Sequence, residues 1–188
     1  MQQQDRQYNQ DRNADTVNSV NQKRWAVAFA GALLCGSPAG AENSIVGRAS
    51  VIDGDTIEIQ GERIRFHGVD APESWQTCQD GDGGDYRCGR EASLALDRFL
   101  GASRPTRCEP VERDRYKRFV ALCFRADGVE VNRWLVANGY AVDWPRYSKG
   151  AYASEQEGAQ RRSTGLWRGS FQLPCEARAT RAKHEPSC

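Results

Sequence analysis

Several things are scarce in this 188-residue chain, and each scarcity removes a class of function. No apolar run is long enough to cross a bilayer comfortably: the best candidate, residues 25–35, is 11 residues long, against the roughly 20 a spanning helix needs. Histidine is nearly absent. His67 and His184 lie far apart and no Cys-x-x-C pair occurs, which argues against a zinc site and against phosphodiester cleavage by a histidine pair. No segment repeats, which leaves no basis for a solenoid. The formal net charge is only +1, so the molecule as a whole is no general polyanion binder.

The charge that is present is unevenly placed. Residues 50–91 carry ten Asp or Glu against four Arg or Lys, and residues 111–170 carry eleven Arg or Lys against seven Asp or Glu. An acidic half beside a basic half suits a protein that holds a cation on one side of a site and an anion on the other.

The first 22 residues are rich in Gln, Asn and Asp with almost no apolar residues, a composition that predicts disorder. Lys23-Arg24, the short apolar run and Ala39-Gly40-Ala41 then read as an export signal cleaved after Ala41. Such signals do not carry twenty polar residues ahead of the basic pair, so translation is expected to start downstream, at a codon such as that of Val17 or Val20. Past Ala41 six cysteines remain, an even number that in an exported chain reads as disulfides. Proximity favours Cys78–Cys88, Cys108–Cys123 and Cys175–Cys188. The predicted organisation is a signal-bearing segment over 1–41, one domain over 42–173, and a disulfide-pinned tail over 174–188 in which no chemistry is legible.

Period-two alternation and turn residues predict strands over 44–52, 56–60, 63–69, 106–112 and 119–126. Helices are expected over 91–100, with Ala92, Leu94, Ala95, Leu96, Phe99 and Leu100 as the apolar face, over 131–138 and over 151–163. Five strands with a helix after the third predict an α+β fold: a five-stranded antiparallel Greek-key barrel of OB type with three α-helices.

Chemistry concentrates in two places. Asp53-Gly54-Asp55-Thr56 at the first hairpin tip is, alone, an ordinary turn. The third strand, however, ends in Arg65-Phe66-His67-Gly68-Val69-Asp70-Ala71-Pro72-Glu73, which brings Asp70 and Glu73 close to that tip. Converging carboxylates call for a hard cation; calcium suits an all-oxygen donor set, with magnesium or manganese as the rival occupants. The Ala71 carbonyl, fixed by Pro72, is a further candidate ligand. The second place is Arg113-Asp114-Arg115-Tyr116-Lys117-Arg118, where an aromatic sits inside a basic run, the pairing needed to grip a phosphate and stack a base. Arg65 adds a guanidinium, which can hold a phosphate through two parallel hydrogen bonds. The loop between Cys78 and Cys88 carries Asp80, Asp82 and Asp85, but it is too short for a calcium-binding loop and lacks a distal glutamate.

Val51-Ile52-Asp53-Gly54-Asp55-Thr56, Arg65 through Asp70-Ala71-Pro72-Glu73, Gly89-Arg90-Glu91-Ala92, Asp114-x-Tyr116-x-Arg118 and Gly165-Leu166-Trp167 follow one another in order. In this the chain resembles the staphylococcal nuclease (thermonuclease) family, over residues 44–171. The resemblance implies a monomeric, calcium-dependent phosphodiesterase that cuts DNA and RNA to leave a 5′-hydroxyl and a 3′-phosphate. It implies Asp55, Asp70 and the Ala71 carbonyl as calcium ligands, Glu73 as the base that activates water, and Arg65 and Arg118 as the pair that grips the scissile phosphate. Tyr116, Lys117 and Tyr147 fall on the substrate side, with Trp144 either a substrate contact or a core residue. Lys117 stands where the familiar member has glycine, so a differently shaped turn is expected there. Two other readings fit the same sequence: an OB-type module that binds nucleic acid without cutting it, and an accessory protein of envelope or exopolysaccharide assembly. After signal cleavage the expected location is periplasmic or extracellular, without stable membrane association.

Overall fold

The computed structural model describes residues 44–186 and 188, so the expectations of N-terminal disorder and of an export signal lie outside the described residues. The first strands are β1 (Ile45–Gly47), β2 (Ser50–Asp53), β3 (Thr56–Ile59) and β4 (Glu62–Phe66). Alternation along β4 buries Ile64 and Phe66 and leaves Arg63 and Arg65 on the other face. Two-residue strands follow: β5 (Val69–Asp70), β6 (Cys78–Gln79) and β7 (Asp85–Tyr86). Helix α1 (Cys88–Gly101) leads to β8 (Thr106–Arg113) and β9 (Phe119–Phe124), and α2 (Val131–Ala137) to β10 (Val142–Asp143). The chain ends with α3 (Pro145–Ser148), α4 (Ala153–Arg161), a 3-10 turn over Gly165–Arg168, and α5 (Pro174–Ala182).

The main sheet has six strands in the order β1-β8-β9-β4-β3-β2. The architecture is α+β, as expected, but three particulars differ from the expected barrel. The first strand is interrupted at Arg48 and Ala49, and just before the break Gly47 packs on the fully buried Ile59, where a Cβ would stand 2.7 Å from the Ile59 side chain. No ladder joins β1 to β2 among the described residues, so the hydrogen-bonded sheet is open and no closed barrel forms. The sheet is also mixed: β4 and β9 run parallel, with Ile64, Arg65 and Phe66 beside Phe119, Val120 and Ala121. A parallel pair needs a long connection, and here the chain between the two strands holds α1 and β8. Among the described residues five α-helices stand where three were expected, α3 and α5 being the additions.

The larger of two hydrophobic clusters lies between the sheet and the helices; the smaller gathers Cys78, Cys88, Val142 and Leu166. Ile57, Ile59, Ile64 and Phe66 from the sheet meet Leu96 and Leu100 of α1, and Leu135 and Val136 of α2. The apolar face of α1 is Ala92, Ala95, Leu96 and Leu100. Leu94, counted on that face from sequence, is 46 % exposed, because at 3.6 residues per turn its position points about 180° away from the middle of the face. Trp134 of α2 stacks on Phe99 at 3.8 Å between ring centres. The fully buried Asn132 spends its whole amide on backbone: it donates to the carbonyls of His67 (2.9 Å) and Ala121 (3.2 Å) and accepts from the Cys123 N–H (3.1 Å). This amide pins the chain just beyond Arg65 to β9. The three disulfides are those favoured from sequence, Cys78–Cys88, Cys108–Cys123 and Cys175–Cys188.

Candidate active site

Asp55 sits in the tight turn between β2 and β3, and Asp70 forms β5, anchored by its pairing with Val142 of β10. The two tips touch. A Cβ on Gly54 would lie 2.8 Å from the Cβ of Ala71, so glycine at that position is what allows the loops to close on each other. Glu73 follows on the loop, and its backbone is pressed against the start of α1: a Cβ on Gly89 would fall 1.7 Å from the Glu73 carbonyl. Gln76, nearly fully buried, fixes the other side by donating to the Gln172 carbonyl at 2.7 Å. Asp55 and Asp70 thus come together on either side of Arg65, with Ala71 against the first tip and Glu73 further along the loop.

Arg65 faces this acidic group. Its Nη2 lies 2.7 Å from Asp55 Oδ2 and 3.0 Å from Asp70 Oδ1. The second Asp55 oxygen, Oδ1, accepts from the Thr56 hydroxyl at 2.9 Å. Asp53 joins the cluster as a fourth carboxylate that sequence reasoning left out of the site. Burial first, and then the charges of Asp55 and Glu73, push its pKa up to about 6, against the hydrogen bond it accepts from the Gly54 N–H.

A further member comes from the tail. Arg178 of α5 forks onto Asp70, with Nη1 to Oδ1 at 2.8 Å and Nη2 to Oδ2 at 3.0 Å, and Nη1 also reaches Glu73 Oε1 at 2.9 Å. Asp70 is 1 % exposed, and burial pushes its carboxyl up while Arg178 and Arg65 pull it back. Burial works against the charge on Arg178, yet hydrogen bonds and charge from Asp70 and Glu73 hold its pKa above the ordinary arginine value. The tail, read from sequence as bare of chemistry, therefore supplies a cation to the centre of the site. The local signals for α5 were present, with Pro174 in its first turn and Glu176 accepting from the Leu173 N–H. The contact itself, 108 residues away along the chain, leaves no local trace.

Arg118 approaches from β9, where Val120 pairs with Arg65. Its guanidinium rests on Asp114, with Nε at 2.8 Å and Nη2 at 2.7 Å from Oδ2. Burial works against the charge on Asp114, but hydrogen bonds from Arg118 and Tyr116 hold its carboxyl below the usual range. Asp114 Oδ1 also accepts from the N–H groups of Tyr116 and Arg118, shaping the turn. Lys117 takes φ +65° there, so the turn keeps a glycine-like backbone although the side chain is lysine. Lys117 is exposed and does not line the cleft; its carbonyl accepts from Arg113.

A cleft of about 900 Å³ joins the two clusters, and Arg65, Glu73, Tyr116, Arg118, Trp144 and Tyr147 all line it. Tyr116 is 65 % exposed and stands beside Arg118. Trp144, which sequence left between core and cleft, is partly exposed, meets Tyr147 edge-on at 4.6 Å, and lies 5.7 Å from the Arg65 guanidinium. Cations, a carboxylate and open aromatic faces along one groove can hold a phosphodiester backbone and stack its bases. Asp55, Asp70 and Ala71 do not line this cleft. Their donors are all oxygen, the chemistry of a hard divalent cation, but among the described residues no group of three or more His, Cys, Asp or Glu is arranged to hold a metal ion. The Asp55 and Asp70 oxygens are instead engaged by Arg65, Arg178 and Thr56.

Comparison with known proteins places this geometry. The family model described as staphylococcal nuclease homologue matches residues 63–169, a span that includes Arg65, Asp70, Glu73 and Arg118 but neither Asp55 nor Arg178. The chain is 56% identical over 161 residues to the succinoglycan biosynthesis protein ExoI of Rhizobium meliloti (strain 1021), covering 86% of this chain and 84% of that protein. It is 32% identical over 129 residues to an uncharacterized endonuclease of Escherichia coli O157:H7, with 66% and 77% covered. It is also 32% identical over 146 residues to endonuclease YhcR of Bacillus subtilis (strain 168), spanning 69% of this chain but only 12% of that much longer protein. The chain belongs to the staphylococcal nuclease homologue family.

Proposed function

We propose that this protein is an exported, calcium-dependent nuclease that hydrolyses phosphodiester bonds of both DNA and RNA and works as a monomer. The observation that carries the reading is the single cleft lined by Arg65, Glu73, Tyr116 and Arg118. In it Glu73 takes the proton of a water that attacks phosphorus, the P–O5′ bond breaks, the departing 5′-oxygen takes up a proton from solvent water, and the products are a 5′-hydroxyl and a 3′-phosphate. Arg65 and Arg118 hold the non-bridging oxygens as charge builds on them. Charge aimed in advance at a transition state is the largest single contribution in many enzymes, with one donor worth about 2.7–4 kcal/mol. Asp55, Asp70 and the Ala71 carbonyl would hold the calcium ion, which when bound supplies positive charge beside the phosphate. Tyr116 and Tyr147 offer faces to the bases. Three disulfides in so small a domain support an oxidising, extracytoplasmic location.

The test is incubation of the purified chain with plasmid DNA and with RNA, in calcium and in calcium plus chelator. Cleavage of both substrates that stops with chelator is expected; intact nucleic acid under every condition would refute the reading. A second reading, a role in exopolysaccharide assembly, is favoured by the name of the 56% identical relative. If nuclease activity is incidental to such a role, a Glu73→Gln chain will restore exopolysaccharide in a deletion strain as well as the parent does.

A further inference from the structure

We propose that Arg178 is an internal competitor of the divalent cation: it occupies both oxygens of the ligand Asp70 while also reaching Glu73, and it must withdraw before a metal ion can bind Asp70. This deepens the calcium reading above and rests on it.

The argument begins with lone pairs. Asp70 Oδ1 accepts from both Arg65 and Arg178, Asp70 Oδ2 accepts from Arg178, and Glu73 Oε1 accepts from the same Arg178 Nη1. Calcium binds carboxylate oxygens at about 2.3–2.6 Å in shells of 6–8 donors. A guanidinium forked across both oxygens of Asp70 fills the positions such an ion needs there. Arg178 and the ion are therefore alternatives.

The placement also allows exchange. Asp70 is 1 % exposed at its side chain while Arg178 is 30 % exposed, so the arginine enters from the cleft and can swing back into it. Trp144 stands 5.6 Å from its guanidinium, an aromatic face beside the exit. The helix that carries Arg178 is tethered and cannot be lost: Cys175 is joined to Cys188, the Cys188 carbonyl accepts from Trp144 Nε1 at 3.3 Å, and Arg181 lies over Trp75 at 4.5 Å. Once withdrawn, Arg178 remains in a groove that takes phosphate, so an incoming substrate anion offers it a replacement partner. Metal loading and substrate entry are thereby coupled through one side chain.

A site that is competent only in a minor conformer binds more weakly in proportion to that conformer's population. With the withdrawn state populated at no more than about 10%, deleting the competitor should tighten calcium binding by about tenfold or more. The experiment is calorimetric titration of calcium chloride into the purified chain and into its Arg178→Gln and Arg178→Lys variants. Arg178→Gln should bind at least about tenfold tighter, with Arg178→Lys between it and the parent. In the parent, calcium should also speed amide hydrogen exchange across residues 174–182, a readout that needs no variant to fold. Calcium affinity unchanged or weakened in a folded Arg178→Gln protein would overturn the proposal, as would exchange in α5 that is unaltered or slowed by saturating calcium. Failure of the calcium reading looks different: neither parent nor variant would give any binding heat, and this proposal would fall with it.

Discussion

Arg118 separates catalysis from stability more cleanly than any other site residue. Arg65 and Arg178 are bound into the acidic cluster, so their removal would disturb folding, metal binding and chemistry together. The Arg118 guanidinium is ion-paired with Asp114 and lies beside the exposed Tyr116 ring, and both members of the ion pair keep about a fifth of their surface in water, 22 % and 18 %. A partly exposed pair of this kind contributes about 0–1 kcal/mol to stability. Arg118→Ala should therefore leave the urea midpoint nearly unchanged. In the transition state the same guanidinium is asked to leave Asp114 and hold a phosphate oxygen, a role worth about 2.7–4 kcal/mol, or roughly 10²–10³ in rate. Turnover on single-stranded DNA at saturating substrate and calcium, beside a urea titration of the same preparation, measures both quantities. A rate within threefold of the parent would remove Arg118 from the chemistry. A stability loss above about 2 kcal/mol would mean that its contact with Asp114 is mainly structural.

Other consequences follow from the same geometry. Asn132→Leu orphans the Cys123 N–H and the His67 carbonyl in a fully buried setting, so it should cost about 2–5 kcal/mol by urea titration; a loss under 1 kcal/mol would contradict that role. Lys117→Gly removes a left-handed lysine and should stabilise by up to about 1 kcal/mol, the penalty for a side chain there less the extra freedom of unfolded glycine. Asp114 has a folded pKa below its unfolded one, so its contribution is complete above the ordinary carboxylate value near 4 and is lost as pH falls from there through the lowered folded value. An Asp114→Asn chain should accordingly show a shallower loss of stability in acid than the parent, read from melting temperatures between about pH 5 and pH 2.

Much of the site is legible in sequence because local rules act on short segments. Asp-Gly-Asp at a hairpin tip, an arginine one residue from a strand end and an aspartate–proline–glutamate exit each obey turn and strand chemistry, and the hairpins that join them are short. The cysteine pairs were readable for a similar reason, since each closes a loop of 10 to 15 residues. Sheet geometry was less readable. Whether β4 pairs with β9 in parallel depends on everything between residues 66 and 119, and whether β1 meets β2 depends on the distant β8 that pairs with β1 instead. Arg178 was invisible for a sharper reason: in a polar helix with arginines also at 181 and, just ahead of it, in the 3-10 turn at 168, nothing local marks the one that turns inward. The Cys175–Cys188 disulfide closes the tail on itself and gives no sign of where it docks.

The central claim is that Glu73 serves as the base for hydrolysis in the cleft that Arg65 and Arg118 share. Single-turnover cleavage of an end-labelled oligonucleotide by Glu73→Gln tests it most directly, because glutamine keeps the shape and removes the proton acceptor. A fall of about 10²–10⁴-fold in rate, with cleavage products that retain a 5′-hydroxyl, is the expected result. An unchanged rate would contradict it.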